Sequence, residues 1–126
     1  MILRELTVSN FRPFRDETFE FSDRVTVFAG INGRGKSSIL DALALLLSRL
    51  LPQVTPAKRG YKYLQPQDIH HGEAALTVAL TASFERIPVD FSIGYSEESG
   101  QQPTKLLPQV KRAIRQIYGN PRRVDD

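Results

Sequence analysis

Residues 30–37 read Gly30-Ile31-Asn32-Gly33-Arg34-Gly35-Lys36-Ser37, and a second serine follows at Ser38. This stretch satisfies the pattern G-x-x-x-x-G-K-[ST], which indicates a phosphate-binding loop when it stands between a strand and a helix. Both neighbours are predicted. Residues 24–29 are typical of a buried strand, and the Leu- and Ala-rich residues 37–51 predict a helix that Pro52 ends. The sequence therefore predicts a P-loop NTPase domain of the α/β class.

The chemistry of phosphate binding explains these residue types. Glycine lets the backbone approach an anion closely and turn its N–H groups inward, and the N-terminus of the following helix adds unpaired N–H groups and a favourable dipole. Lys36 is expected to reach the β- and γ-phosphates, Ser37 to bind Mg²⁺ through its hydroxyl, and Ser38 to contribute on the α-phosphate side. The predicted nucleotide-binding residues of the loop are Gly30, Asn32, Gly33, Arg34, Gly35, Lys36, Ser37 and Ser38.

Outside the loop, the pattern predicts strands and one further helix. Alternating apolar residues predict strands at 2–8 and 17–21, and a hairpin formed by 74–84 and 89–95; polar residues 97–102 predict a loop. Apolar residues at helical spacing after Thr104 predict an amphipathic helix with a basic face. We divide residues 1–126, one lobe, into a P-loop core (1–51), a connection (52–73), a β-hairpin (74–95) and a basic helix (104–118).

Composition limits the possible classes of protein. The 126 residues suit a single domain, and the absence of cysteine excludes disulfides and thiolate metal sites. No apolar run is long enough to span a bilayer and no signal-peptide pattern begins the chain, so we expect a cytoplasmic protein without a membrane partner. The net charge is +3, and basic residues are concentrated after Thr104. That segment could contact nucleic acid or an acidic partner, or it could be an ordinary solvated helix face.

Three segments together resemble the N-terminal part of the SMC/RecF-like ATPases, over residues 1–51. They are Asn10-Phe11-Arg12, the loop at 30–38, and Ile39-Leu40-Asp41-Ala42-Leu43. Within that superfamily the chain looks most like bacterial AAA-type ATP-binding proteins, some of which, the PtuA-like ATPases, serve in anti-phage defence.

The resemblance implies a function and a set of partners. It implies that ATP and Mg²⁺ are bound, that residues 32–38 surround the triphosphate, and that Arg12 lies beside the nucleotide. The run Asp68-Ile69-His70-His71-Gly72 is similar to the segment that leads into the family's antiparallel side sheet. Two complete heads would enclose ATP between them, so the implied partners are a second copy or another ATPase head, together with a nucleic acid or a nuclease.

The catalytic residues cannot be assigned. Hydrolysis in this superfamily needs an Asp-Glu pair after an apolar run and a Ser-Gly-Gly signature loop, and the sequence contains neither. The chain could be the N-terminal lobe of an ATPase that hydrolyses ATP in its complete form, or a nucleotide-responsive interaction module without hydrolysis. A kinase-type phosphotransferase uses the same loop, but the Asn-Phe-Arg element and the two leading strands are not expected there.

Overall fold

The computed structural model describes residues 2–21, 34–54 and 63–118. The predicted strand at 24–29, the loop residues Gly30, Asn32 and Gly33, and the side chain of Arg34 lie outside the described part. The elements are β1 (Ile2–Phe11), β2 (Phe14–Glu20), α1 (Arg34–Val54), a 3₁₀ turn (Pro66–Asp68), β3 (Ala75–Phe84), β4 (Ile87–Ser96), β5 (Gly100–Pro103) and α2 (Pro108–Tyr118).

The strands form one antiparallel sheet in the order β2-β1-β3-β4-β5. In β3 and β4 every second side chain is buried, which places Leu76, Val78, Leu80, Phe91 and Ile93 on one face. Period-two burial on one face is what an antiparallel sheet covered on a single side requires. The predicted α/β class with an antiparallel side sheet is therefore confirmed.

Helix α1 lies against β3 and β4 and also contacts α2. Its fully buried side chains Ile39, Ala42, Leu46 and Leu50 recur at intervals of three or four residues, which puts them on one helical face. Ile114 of α2 is fully buried in the same core. The amphipathic second helix is thus present and packs against α1. Among the described residues, no helix has both the length and the apolar character needed to cross a bilayer.

Pro52 does not end α1, and this prediction was wrong. The helix continues to Val54, so the proline lies in its last turn. A proline there removes only one backbone donor close to a helix end, where few intrahelical bonds follow it. The side-chain amide of Gln53 donates to the carbonyl of Arg49 at 3.4 Å, which adds a bond at the end of the helix.

The predicted loop at 97–102 contains most of a fifth strand. Residues Gly100–Pro103 pair with β4 at the edge of the sheet. Gly and two glutamines gave no apolar alternation from which to predict a strand, and proline is tolerated in a strand only at such an edge. The side-chain oxygen of Gln101 accepts a hydrogen bond from the backbone N–H of Leu64 at 2.7 Å, so β5 also holds the segment that follows residue 62.

The first strand is longer than the predicted 2–8 and ends in a tight turn. Strand β1 continues to Phe11, and Phe11 pairs with Phe14 across the two residues Arg12 and Pro13. Asn10 and Arg12 have φ angles of 55° and 53°, in the left-handed region that non-glycine residues seldom adopt. The Asn-Phe-Arg element therefore lies at the tip of a β-hairpin.

Candidate functional site

The N-terminus of α1 forms one wall of a large cleft. The helix begins inside the phosphate-loop motif, at Arg34, so the motif has the loop-to-helix placement that it requires on its C-terminal side. Ser37 and Ser38 both line the cleft, which has a volume of about 1190 Å³. Ser38 is only 2% exposed, whereas Lys36 and Ser37 are exposed. Two serines at the start of a helix thus line the same space.

The other lining residues come from the β1–β2 turn, from residues 66–73 and from Glu97. Arg12 contributes the cationic side chain of the turn, and Asp68 and His70 contribute from the segment before β3. The cleft therefore brings together two predicted nucleotide-binding regions, the start of α1 and Arg12. It also contains the segment 68–72 that the sequence resemblance singled out.

Arg12 is held by two carboxylates from different parts of the chain. Its Nε donates to Oδ1 of Asp68 at 3.0 Å, and its Nη1 donates to Oδ2 of Asp41 on α1 at 2.6 Å. The guanidinium carbon also lies 5.0 Å from the centre of the Phe11 ring, within the range of a cation–π interaction. Arg12 thus joins the hairpin tip to α1 and to the 3₁₀ turn.

Asp68 is the more buried of the two carboxylates. Its side chain is 12% exposed, against 57% for Asp41. Its second oxygen accepts the backbone N–H of Gln65 at 2.9 Å, so both carboxylate oxygens are hydrogen-bonded. A nearly buried carboxylate is stable only when it is paired in this way.

Backbone hydrogen bonds fix the hairpin tip to the same segment. The N–H of Arg12 donates to the carbonyl of Asp68 at 2.7 Å, and the N–H of His70 donates to the carbonyl of Asn10 at 2.7 Å. Phe11 and Ile69 form an isolated antiparallel bridge between them. Residues 68–70 therefore add a short pairing to the end of β1, which explains the ordered course of the chain across the cleft wall.

The ring of His70 closes this arrangement. Its Nδ1 lies 2.7 Å from the carbonyl oxygen of Arg12, and because a carbonyl can only accept, Nδ1 carries the hydrogen. The other ring nitrogen, Nε2, lies 3.5 Å from Nε of Arg15 and is placed to accept from it. Both contacts are satisfied by the neutral tautomer with its hydrogen on Nδ1.

The pKa of Arg12 is raised above its ordinary value. Burial opposes the charged form and by itself lowers the pKa, but the hydrogen bonds and negative charges of Asp41 and Asp68 outweigh that effect. The guanidinium is therefore a permanent cation on the wall of the cleft.

The site residues predicted from the sequence have different outcomes. Arg12, Ser37 and Ser38 line one cleft, while the exposed Lys36 and the half-buried Gly35 lie in the first turn of α1. Gly30, Asn32, Gly33 and the Arg34 side chain lie outside the described part. The roles of Asp41 and Asp68 as partners of Arg12 were missed, since nothing in their sequence neighbourhood indicates a contact with residue 12.

The residues present suit a phosphate group with its Mg²⁺ ion. Arg12, two serines and a helix N-terminus favour an anion, although the carboxylates of Asp68, Glu73 and Glu97 also line the cleft. At P-loop sites Mg²⁺ is held by the Ser or Thr hydroxyl of the loop, an aspartate and phosphate oxygens. Within residues 2–21, 34–54 and 63–118, no group of three or more His, Asp or Glu side chains could hold a metal ion without such help.

Comparison with known proteins agrees with the fold and the motif. Residues 5–120 match the family model AAA_23, described as an AAA domain. The chain is 43% identical over 75 residues to the DNA double-strand break repair Rad50 ATPase of Methanosarcina mazei, which is 57% of this chain and 7% of that protein. It is 39% identical over 46 residues to the DNA replication and repair protein RecF of Thermoanaerobacter sp., 36% of this chain and 13% of that protein.

A solved structure has a similar fold. A chain of the recombination mediator protein RecF-ATPrS in the RecFOR pathway superposes with a TM-score of 0.63 over 81% of this chain and 26% of that chain, at 21% sequence identity. This chain thus spans only a small part of the relatives that it matches. The match to the AAA model, over residues 5–120, covers nearly all of it. The chain therefore belongs to the AAA domain family, as the N-terminal part of an SMC/RecF-like ATPase.

Proposed function

We propose that this chain binds ATP with Mg²⁺ through the loop at 30–38 and the first turn of α1. In this proposal Lys36 neutralises the β- and γ-phosphates, Ser37 binds Mg²⁺ through its hydroxyl, and Ser38 contacts the α-phosphate side. Gly30, Asn32, Gly33, Arg34 and Gly35 supply backbone N–H groups, and Arg12 approaches the triphosphate from the β1–β2 turn.

One observation carries the proposal. The last residues of the G-x-x-x-x-G-K-S motif form the beginning of a 21-residue helix, and its two serines face a cleft that also contains Arg12. A chance match to the motif has no reason to lead into a helix and to share a cleft with a cation that two carboxylates hold. The volume of about 1190 Å³ leaves room for a nucleotide and water, since small-molecule sites measure roughly 300 to 1,000 Å³.

The wider function is a further part of the proposal. The relatives named above are a Rad50 ATPase of DNA double-strand break repair and a RecF protein of DNA replication and repair. We infer that this lobe belongs to an ATPase head that hydrolyses ATP in its complete form, together with a second head and within a nucleic-acid-processing or defence complex. The exposed residues Arg112 and Arg115 of α2 offer a basic surface that suits such a partner.

Calorimetric titration with ATP and Mg²⁺ tests the binding proposal. Lys36→Ala removes a charge-assisted contact worth roughly 1.5 to 3 kcal/mol, so we expect its Kd for ATP to rise about tenfold or more. Lys105→Ala is the matched control, because Lys105 is also an exposed lysine but does not line the cleft, and we expect its Kd to stay unchanged. Equal affinity of the wild type and the Lys36→Ala variant would remove the loop from the mechanism.

Phosphate release from the same samples distinguishes a lobe of an ATP-hydrolysing head from an interaction module that binds nucleotide without hydrolysis. Binding without release identifies either an incomplete head or a module that responds to nucleotide without hydrolysis. Release that begins when a second head or duplex DNA is added supports the incomplete ATPase head. Binding without release under every condition supports the interaction module.

A further inference from the structure

Arg12 separates two cavities. On one side is the cleft that contains Ser37 and Ser38, and on the other is a smaller pocket of about 310 Å³ that is lined by Asp41 and Leu45. Arg12 and Asp68 border both spaces. The ion pair with Asp41 therefore draws one end of the guanidinium toward the smaller pocket and away from the helix N-terminus.

The two carboxylates hold Arg12 with different strength. Asp68 is nearly buried, bonds Nε at the base of the guanidinium, and is itself fixed by the N–H of Gln65. Asp41 is more than half exposed and bonds only the terminal Nη1. Exposed ion pairs contribute little, whereas a buried carboxylate that loses its cation is strongly disfavoured. The Asp41 contact is the shorter one, at 2.6 Å against 3.0 Å, but because Asp41 is open to solvent its contact is the one that can be exchanged.

We propose that Asp68 is a positioning residue for Arg12 and that Asp41 is a competitor from which the triphosphate takes the arginine. When phosphate enters the cleft, Nη1 leaves Asp41 and the guanidinium turns toward the anion while Nε stays on Asp68. This inference rests on the proposed nucleotide site and adds to it a contact that opposes binding.

The geometry favours a rotation of the side-chain end over a movement of the backbone. Guanidinium has five N–H donors, and the two carboxylates use one donor each, so the same group can bond Asp68 and a phosphate together. The backbone N–H of Arg12 is bonded to the carbonyl of Asp68, which holds the turn in place. Only the outer end of the side chain has to move.

Two substitutions with opposite expected effects test the proposal. Asp41→Asn weakens the competing ion pair, so the Kd for ATP with Mg²⁺ should fall about two- to fivefold. Asp68→Asn removes the charge that fixes Arg12, so the Kd should rise about tenfold. A purely structural role of Asp41 predicts weaker binding after its substitution, because damage to the fold does not improve affinity.

The same substitutions in an Arg12→Ala background show whether the arginine carries the effects. We expect both changes in Kd to disappear there, which gives a coupling between the sites in a double-mutant cycle. If Asp41 acts only by repelling phosphate, the gain persists without Arg12. If Asp68 only supports the cleft wall, the loss persists without Arg12. Either persistence overturns the corresponding part of the proposal, as does an unchanged Kd of Asp41→Asn in the wild-type background.

Failure of the nucleotide site itself has a different result. If the wild-type chain binds ATP no better than Lys36→Ala, the proposed function is wrong. The proposed exchange of Arg12 from Asp41 to phosphate is then wrong as well. If the wild type binds and Lys36→Ala does not, the site stands, and the two aspartate variants decide the exchange alone.

Discussion

Arg12 connects three segments that lie far apart in the sequence. Its side chain bonds Asp41 of α1 and Asp68 of the 3₁₀ turn, and its backbone bonds the same turn from the tip of the first hairpin. The residue also has a φ angle of 53°, which an arginine adopts only when surrounding contacts compensate. These contacts make Arg12 a structural part of the cleft wall as well as a candidate phosphate-binding residue.

Replacement of Arg12 is therefore expected to lower stability in the absence of nucleotide. Arg12→Ala leaves the nearly buried carboxylate of Asp68 without its cation, and an unsatisfied buried group of this kind costs about 1 to 3 kcal/mol. Urea denaturation measures the change in the free energy of unfolding. Arg112→Ala, at an exposed position of α2, is the control and should change it by less than about 0.5 kcal/mol. A similar small change for both variants would show that the ion pairs of Arg12 contribute nothing to the fold.

Among single residues, the sequence predicted those that line the cleft better than the residues that support them. Ser37, Ser38 and Arg12 belong to local motifs, so their placement in one cleft could be expected from the motif and from the family resemblance. Asp68 is recognisable as a support only once residues 68–70 pair with the end of β1. That pairing depends on the tertiary fold, and no local pattern in the sequence encodes it.

Among the elements, the hairpin of β3 and β4 has an unusual turn. Phe84 and Ile87 close it, and both central residues have positive φ angles, 46° for Glu85 and 74° for Arg86. Two positive φ angles define the type I′ turn, which matches the twist of the strands but strongly favours Asn-Gly over other residues. A type I′ turn suits this hairpin, but glutamate and arginine are not residues that favour such a turn.

Changing this turn to Asn-Gly should stabilise the chain. The double substitution Glu85→Asn and Arg86→Gly relieves two left-handed residues, each of which costs about 1 to 2 kcal/mol, while the added glycine increases the entropy of the unfolded chain. We expect a net gain of about 1 kcal/mol, seen as a higher urea midpoint with an unchanged slope. Alanine at both positions has the same φ restriction and should give no gain. A gain with alanine would mean that side-chain contacts, and not backbone strain, limit the present turn.

Elements with a clear period of apolar residues were predicted from the sequence, and elements without one were missed. β3, β4 and α2 were predicted because each has a clear apolar period, two residues in the strands and three to four in the helix. β5 and the last turn of α1 were not, because Gly100, Pro103 and Pro52 are typical of breaks in structure. Proline is tolerated at the edge of a sheet and in the last turn of a helix. Whether a proline occupies such a position depends on the tertiary fold and cannot be predicted from the local sequence.

In the whole molecule, the pairing of β1 with β3 joins two strands that lie far apart in the sequence. β1 lies between β2 and β3 in the sheet, and the described elements between β2 and β3 in the sequence are α1 and the 3₁₀ turn. The serines of the cleft and Asp68 all lie in these intervening elements. The cleft is therefore complete only when β1 and β3 are paired and α1 has packed on the sheet.

This arrangement has a consequence for the kinetics of folding. The β3–β4 hairpin closes a short loop, whereas β1–β3 pairing must close one that includes the whole of α1, and such non-local contacts form slowly. This topology predicts that the cleft is assembled last, so ATP bound there should slow unfolding while leaving the refolding rate within about twofold. Stopped-flow measurements of both rates with and without ATP and Mg²⁺ check this, and faster refolding in ATP would contradict it. Bound nucleotide would then extend the lifetime of the finished lobe without guiding its formation.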